Sequence, residues 1–269
     1  MAEHTRHDAW QAGEAYDAYM GRWSRRIAPL FLDLLDPAPR ADWLELGCGT
    51  GGLTGAIVDR CDPRHVTALE PSEGFLRTAR ERISAERATF VAGTAERLAT
   101  LPAAAFDLAV SGLVLNFVPD RLAALGEMRR VTRPGGAVAF YVWDYPGGGV
   151  GFMRAFWTAA AALDKGAGDL TEDRRFPFCT RDGLLDLARA AGLTSPSVAP
   201  LEAASVFADF DDYWHPFTLG TGPAPGYCAS LPDEARARLR QRLYDTLPRE
   251  QDGSIRLGLR AWAAVSRAG

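Results

Sequence analysis

The chain has 269 residues, 47% of them hydrophobic, 10% aromatic and 24% charged, with 30 Lys and Arg against 34 Asp and Glu. That length buries one large core, or one core with an elaborated lid, and the balance excludes disordered, fibrous and disulfide-scaffold classes. A net charge of -4 lacks the basic footprint of a nucleic-acid binder, so no nucleic-acid partner is expected.

Four cysteines, Cys48, Cys61, Cys179 and Cys228, form no Cys-x-x-Cys pair, which suits a reducing compartment. The first residues are polar and no apolar run approaches ~18 residues, so neither a secretory leader nor a membrane partner is expected and the cytoplasm is the default location.

In chain order, residues 8–35 read as one or two amphipathic helices broken near Met20-Gly21, with Trp23, Ile27, Leu30, Phe31, Leu34 and Leu35 as the apolar stripe. From Asp42 to Tyr145, short apolar runs alternate with helical patterns. Strands are expected over 42–46, 65–69, 88–91, 106–110 and 137–142, and helices over 53–60, 72–85 and 120–131. This is the pattern of an α/β fold, a doubly wound, Rossmann-like, mostly parallel sheet built by right-handed crossovers. Arg133-Pro134-Gly135-Gly136 is expected to stop the last of these helices and feed the fifth strand.

Gly147-Gly148-Gly149 then marks a hinge, 152–163 and 182–191 read as helices, and Gly192 closes the second of them. Strand character returns over 194–208 and again over 254–266, suggesting an antiparallel terminal strand pair. The insertion between them, 211–251, holds Tyr213-Trp214-His215-Pro216-Phe217 and a basic helix over 233–247. The expected organisation is a helical lid over 1–38, a binding core over 39–146, a helical cap over 147–251 interleaved with core elements (helix 182–191, strand 194–208), and a terminal antiparallel strand over 252–269.

Trp43-Leu44-Glu45-Leu46-Gly47-Cys48-Gly49-Thr50-Gly51-Gly52-Leu53 follows a strand and opens a helix, and its glycines let backbone amides approach a ligand where any Cβ would clash. Gly47, Gly49 and Gly52 also satisfy the dinucleotide spacing, with Glu70 at the end of the second strand placed for a ribose, so an NAD(P)-dependent oxidoreductase is one reading. Two features favour another cofactor. Glu45, two residues before Gly47, suits an ammonium group and is of no use to a pyrophosphate, and an antiparallel strand pair ends the chain in place of further βαβ units.

Five blocks carry a resemblance: Leu44-Glu45-Leu46-Gly47-Cys48-Gly49-Thr50-Gly51, Ala68-Leu69-Glu70-Pro71-Ser72, Val91-Ala92-Gly93-Thr94-Ala95-Glu96, Phe106-Asp107-Leu108-Ala109-Val110-Ser111, and the run from Glu127-Met128-Arg129-Arg130 to Pro134-Gly135-Gly136. In this order they resemble the class I S-adenosylmethionine-dependent methyltransferases, particularly the group similar to ubiquinone/menaquinone biosynthesis methyltransferases (methyltransferase type 11), over roughly residues 19–145. The resemblance implies S-adenosyl-L-methionine as cofactor and S-adenosyl-L-homocysteine as product. It places Gly47, Gly49 and Gly51 along the methionine and ribose, Glu70 on both ribose hydroxyls with Pro71 beside it, Glu45 on the ammonium, and Ser111 and Leu113 near the methionine amine. Thr94 stands where the family usually has an Asp that accepts from the adenine amino group, so its hydroxyl, Glu96 or a backbone carbonyl near Ala95 takes over that contact. Tyr16, Tyr19, Arg22 and Trp23 resemble the lid over the cofactor, with Arg22 toward the methionine carboxylate; the competing reading is an amphipathic helix with a solvated Arg.

Methyl transfer is an in-line displacement at an activated carbon, so the protein mainly aligns and desolvates. An oxygen or enol-like carbon acceptor benefits from a general base. His215, amid the 213–217 aromatics, and Asp144, at the carboxyl end of the fifth strand, are the catalytic candidates; the alternatives are a plug of the cap's core and a loop former. Arg174 and Arg175 are candidates for an anionic acceptor group. Ser111-Gly112-Leu113-Val114 stands where an amino-methylating nucleic-acid enzyme carries its Asp/Asn-Pro-Pro-aromatic element, and no acidic cluster has metal-ligand spacing. The expectation is therefore metal-independent transfer to a small hydrophobic or aromatic molecule, with Trp157, Phe178, Tyr213, Trp214 and Phe217 as stacking surfaces. A cofactor-binding protein without methyl transfer stays open, because a fold never settles a reaction.

Overall fold

The computed structural model describes residues 13–84 and 86–269, so the first part of the expected lid lies outside the described residues. Seven strands form one sheet: β1 Asp42–Leu46, β2 His65–Glu70, β3 Ala88–Ala92, β4 Phe106–Gly112, β5 Thr132–Trp143, β6 Thr194–Phe207 and β7 Ile255–Arg267. Their order is β3-β2-β1-β4-β5-β7-β6. The first five pair in parallel, and β7 runs antiparallel to β5 from Ala137 opposite Arg267 to Trp143 opposite Ala261. The described residues divide into two compact units, one of 23–143, 178–201 and 261–269, the other of 13–22, 144–177 and 202–260. The long strands β6 and β7 contribute to both.

In the first unit, the central strands are apolar on both faces, as helices packed on each side of a parallel sheet require. Trp43 and Leu44 are consecutive and fully buried, and so are Val138, Ala139 and Phe140. Helices Gly52–Arg60, Glu73–Arg82 and Arg121–Val131 make the crossovers. Ser72 caps the second by accepting from the Phe75 amide at 3.4 Å, and Asp120 caps the third from the Ala123 amide at 2.8 Å. The helix expected over 72–85 ends at Arg82, because Ile83 turns extended.

The Arg133-Pro134-Gly135-Gly136 segment lies within β5. Phe106 pairs with Thr132 and Leu108 with Ala137, so residues 133–136 loop out of register. The Arg133 guanidinium pins that bulge by pairing with both Asp42 and Asp107. At the other side of the sheet, β6 holds Pro196 and Pro200, which an edge strand accepts because a proline there removes no ladder hydrogen bond from the interior. Thr194 Oγ1 donates to the Arg267 carbonyl at 3.0 Å.

The second unit is helical apart from the strand segments. Its α-helices among the described residues are the one-turn Gly13–Tyr16, Gly151–Leu163, the one-turn Glu172–Arg175 and Phe210–Trp214, Pro223–Ser230 and Asp233–Thr246. The break expected near Met20-Gly21 is a π-helical turn, Asp17–Gly21. Aromatic rings fill the core of this unit. Phe156 stacks on Phe217 with centroids 4.4 Å apart, Tyr19 meets Phe217 edge-on at 5.4 Å, and the Tyr213 hydroxyl donates to the Phe152 carbonyl at 2.9 Å. Each such ring pair contributes about 0.5–1.5 kcal/mol beyond the area it buries. The basic helix Asp233–Thr246 buries Leu239 and Leu243 and answers its arginines with acids: Arg236 pairs with Asp233, and Arg240 with Asp211.

Candidate cofactor site and a second cavity

Where β1 ends, the amides of Gly47 and Cys48 both donate to the Leu69 carbonyl, at 2.7 and 2.9 Å, tying the glycine loop to the end of β2. Gly47, Gly49 and Gly51 have φ of 76°, 54° and 85°, a left-handed region that costs other residues roughly 1–2 kcal/mol. Beyond that shared requirement the three differ. A Cβ on Gly47 would clash with Cγ1 of Val114, and one on Gly51 would stand 2.6 Å from Cδ1 of Ile83, whereas among the described residues one on Gly49 would meet nothing within 4 Å. Packing against the whole Val114 side chain therefore keeps Gly47 free of a side chain, a Cβ on Gly51 would press mainly on the tip of the flexible Ile83 side chain, and among the described residues Gly49 is the one of the three that faces open space.

Two carboxylates flank this loop. The Gly49 amide donates to Oε2 of Glu70 at 3.1 Å and the Ser72 amide to Oε1 at 2.9 Å. An ionised carboxylate has about four acceptor positions, so both oxygens retain capacity for a diol. Burial pushes the Glu70 pKa up, and these two amides pull it back. Glu45 on β1 is 1% exposed, and its Oε2 accepts from the Thr54 hydroxyl at 2.6 Å. Burial pushes Glu45 up to about 7, with the Thr54 bond opposing and the nearby Glu70 charge adding to the rise. Among the described residues neither carboxylate has a cationic partner, so an arriving ammonium group would find a buried acid ready to ionise against it.

In the sheet order, β1 lies between β2 and β4, the switch point beyond whose strand ends open α/β sheets take their ligands. Ser111 Oγ, buried, donates to the Leu46 carbonyl at 2.9 Å and ties the ends of β4 and β1 together. Leu113 follows with φ 63°, and its amide donates to the Tyr141 carbonyl at 2.8 Å. That strained turn brings Val114 against Gly47. Pro71 is exposed, as is Thr94, which precedes the 3-10 turn Ala95–Thr100; Ala95 is half-buried, and the side chain of Glu96 lies outside the described residues. Trp23, in the same unit, is buried with the Arg26 guanidinium 5.8 Å from its ring centroid.

In the second unit, Tyr19 belongs to the aromatic core. Arg22 is bound by Asp212 through two bonds of 2.7 and 2.9 Å, with its guanidinium 5.0 Å from the centroid of Phe207. Asp144 is buried and takes the Gly147 amide at 2.9 Å on one oxygen and Arg260 at 2.6 Å on the other, so it folds the loop that follows β5. His215 is exposed, while Tyr213 and Phe217 on either side of it are core residues. Arg174 pairs with Asp169 at 2.6 Å, and Arg175 lies 4.8 Å from the Phe176 ring centroid.

This unit also holds a cavity of about 380 Å³, with Tyr145, Val150, Met153, Arg154, Trp157 and Glu172 among its lining residues. Glu172 is 5% exposed, and the Trp157 indole N–H donates to its Oε2 at 2.7 Å. Burial pushes its pKa up to about 7. The sequence does not single it out: Thr171-Glu172-Asp173-Arg174-Arg175 reads as the charged start of a short solvated helix, and nothing local marks the burial of its first acid.

Among the described residues, no helix is long and apolar enough to cross a membrane. A family model described as a methyltransferase domain matches residues 44–140, the stretch that holds the glycine loop, Glu70 and most of the parallel sheet. A malonyl-[acyl-carrier protein] O-methyltransferase of Serratia marcescens is 36% identical over 130 residues, 48% of this chain and 49% of that protein. The chain spans about half the length of the curated relatives it matches. Among solved structures, phosphoethanolamine N-methyltransferase 2 of Haemonchus contortus, in complex with S-adenosyl-L-methionine, aligns with TM-score 0.58 and 15% identity over 95% of this chain and 56% of that one. The [4+2]-cyclase SpnF aligns with TM-score 0.54 and 17% identity over 90% of this chain and 81% of its own. At such identities the structural likeness establishes the fold, and the sequence match establishes the domain. Residues 44–140 therefore match a methyltransferase domain, on a fold shared with a methyltransferase solved in complex with S-adenosyl-L-methionine.

Proposed function

We propose that the chain is an S-adenosylmethionine-dependent methyltransferase acting on a small molecule with a hydrophobic or aromatic body, by in-line transfer without a metal ion. The observation that carries this reading is the pair of buried carboxylates, Glu45 and Glu70, at the open glycine loop of a methyltransferase-family domain. Glu70 would accept from the ribose hydroxyls, Glu45 would face the ammonium group, and Gly49 would leave room for the ligand. Gly47, Gly51, Ser111 and Leu113 shape the turns around it, while Pro71, Thr94, Ala95 and the lid residues Tyr19, Arg22 and Trp23 are proposed as its outer contacts.

When bound, the cofactor supplies a methyl group on an already activated leaving group, so this chain's part is to hold the acceptor, exclude water and take a proton where the acceptor has one. Of the two catalytic candidates, Asp144 is engaged by Arg260 and the Gly147 amide; among the described residues His215 forms no ion pair. The setting proposed is the cytoplasm, with neither nucleic acid nor membrane as partner.

Calorimetric titration with S-adenosylhomocysteine, S-adenosylmethionine and NAD(P)H tests the cofactor, and mass-spectrometric detection of methyl gain on aromatic and acyl-carrier-linked acceptors, with and without a chelator, tests the reaction. Micromolar binding of the sulfur nucleotides followed by methyl gain supports the reading. Binding without any methyl gain would favour the second reading, a cofactor-binding protein with another chemistry, for which the fold shared with a [4+2]-cyclase is the supporting observation.

A further inference from the structure

Helix Gly151–Leu163 presents one face to a cavity of about 380 Å³ whose lining residues all fall within 145–173, inside the second unit. Arg154, Trp157, Thr158 and Ala161 recur along that face at spacings of three and four, the period of one side of a helix. Val150, Met153 and Trp157 are buried and floor the cavity, whereas Arg154, Thr158 and Asp173 are exposed and polar. An apolar floor with a few placed polar groups, at this volume, suits a small ligand.

The charges at the cavity's rim are unanswered. Elsewhere in this unit arginines meet acids: Arg22 pairs with Asp212, Arg174 with Asp169, Arg240 with Asp211 and Arg260 with Asp144. Among the described residues, the Arg154 guanidinium and the Asp173 carboxylate form no ion pair and no side-chain hydrogen bond, with each other or with any other group. The Arg154 side chain lies against Gly148, itself a lining residue, so closely that a Cβ there would stand 2.8 Å from Nη1. The guanidinium is thus placed at the cavity wall and is open to solvent. This arrangement selects the ligand's charge. A simple anion would meet Arg154 but be repelled by Asp173, and above neutral pH by Glu172 in the wall, whose pKa burial raises to about 7. A simple cation would be repelled by Arg154. A zwitterion offers each rim charge a partner of opposite sign.

We propose that this cavity binds a small zwitterion with an apolar body, an amino acid with a hydrophobic side chain being the simplest case. The Arg154 guanidinium donates to the ligand's carboxylate, Asp173 accepts from its ammonium group, and the apolar body lies over Met153 and Trp157. The assignment concerns this unit alone and is independent of the methyltransferase reading.

The test titrates L-phenylalanine, 3-phenylpropionate and phenethylamine, which share a ring and differ in charge, by ligand-observed saturation-transfer NMR. The proteins are the wild type, Arg154→Gln, Asp173→Asn and Thr158→Trp; the replaced residues are all exposed, so the variants should fold, and a thermal melt of each checks this. The expected result is that L-phenylalanine binds the wild type about tenfold more tightly than either analogue, the worth of one hydrogen bond to a charged group. Arg154→Gln should erase its preference over phenethylamine, and Asp173→Asn its preference over 3-phenylpropionate. Thr158→Trp, which fills the cavity from its exposed side, should weaken all the probes. Absence of L-phenylalanine binding at millimolar concentration, or equal binding of the probes to the wild type, would overturn the proposal whatever the variants do. Survival of either preference in its variant, or binding undiminished in Thr158→Trp, would overturn it as well.

Discussion

Replacing Glu45 with Gln should leave stability little changed in mild acid and raise it above neutral pH. In the folded protein the Glu45 carboxyl is buried and titrates at about 7, against an ordinary value of 4.5 that applies once the chain unfolds. Between those values the folded state holds a proton that the unfolded state has lost, so rising pH favours unfolding. Stability is fully present below pH 4.5 and is lost as the pH climbs through 7, at about 1.4 kcal/mol per pH unit and about 3 kcal/mol over the whole window. A glutamine does not titrate, and its amide oxygen can keep the bond from the Thr54 hydroxyl. The advantage of Glu45→Gln should therefore grow with pH and level off above neutrality. Glu172 also titrates at about 7, but identically in both proteins, and cancels in the difference. Urea unfolding at a series of pH values from about 5 to about 8 reads the effect directly. Parallel stability profiles for the two proteins would refute the argument that burial holds Glu45 protonated.

The same proton links to ligand binding. If Glu45 receives the ammonium of S-adenosylhomocysteine, affinity should rise by up to about tenfold per pH unit as the pH approaches 7 and then level, and a flat profile measured by calorimetry would remove Glu45 from the site. Glu70→Ala should weaken that nucleotide by roughly 1.5–3 kcal/mol, the worth of hydrogen bonds to a charged group; unchanged affinity counts against the ribose role. Gly47→Ala should destabilise the fold by about 2–4 kcal/mol through positive φ and overpacking against Val114, with Val114→Ala restoring the packing part. Gly49→Ala should cost only about 1–2 kcal/mol of stability yet impair nucleotide binding, and equal behaviour of the two variants in thermal melts and titrations would contradict the distinction. Arg260→Leu should cost about 3 kcal/mol by leaving Asp144 buried without its guanidinium; a melting temperature close to wild type would show that the pair is not what holds the 144–149 loop.

Much of this protein is determined by its sequence alone, because the signals are local. Period and composition mark β1 over the very residues 42–46 that the sheet uses, and a strand followed by Gly47, Gly49 and Gly51 forecasts three left-handed residues before a helix, since only glycine takes that conformation without strain. The acid at the end of β2 belongs to the same local grammar. What tertiary structure decided is which of these groups touch one another across long stretches of chain. Which loop glycine faces open space depends on Val114 and Ile83. Arg22 is answered by Asp212, 190 residues away, and Asp144 by Arg260, 116 residues away. Tyr213 and Phe217 become core, leaving His215 between them exposed. Glu172 looks solvated until helix Gly151–Leu163 lays Trp157 against it. Local backbone preference is written residue by residue and can be read that way, whereas burial and pairing arise only when distant segments exclude water together.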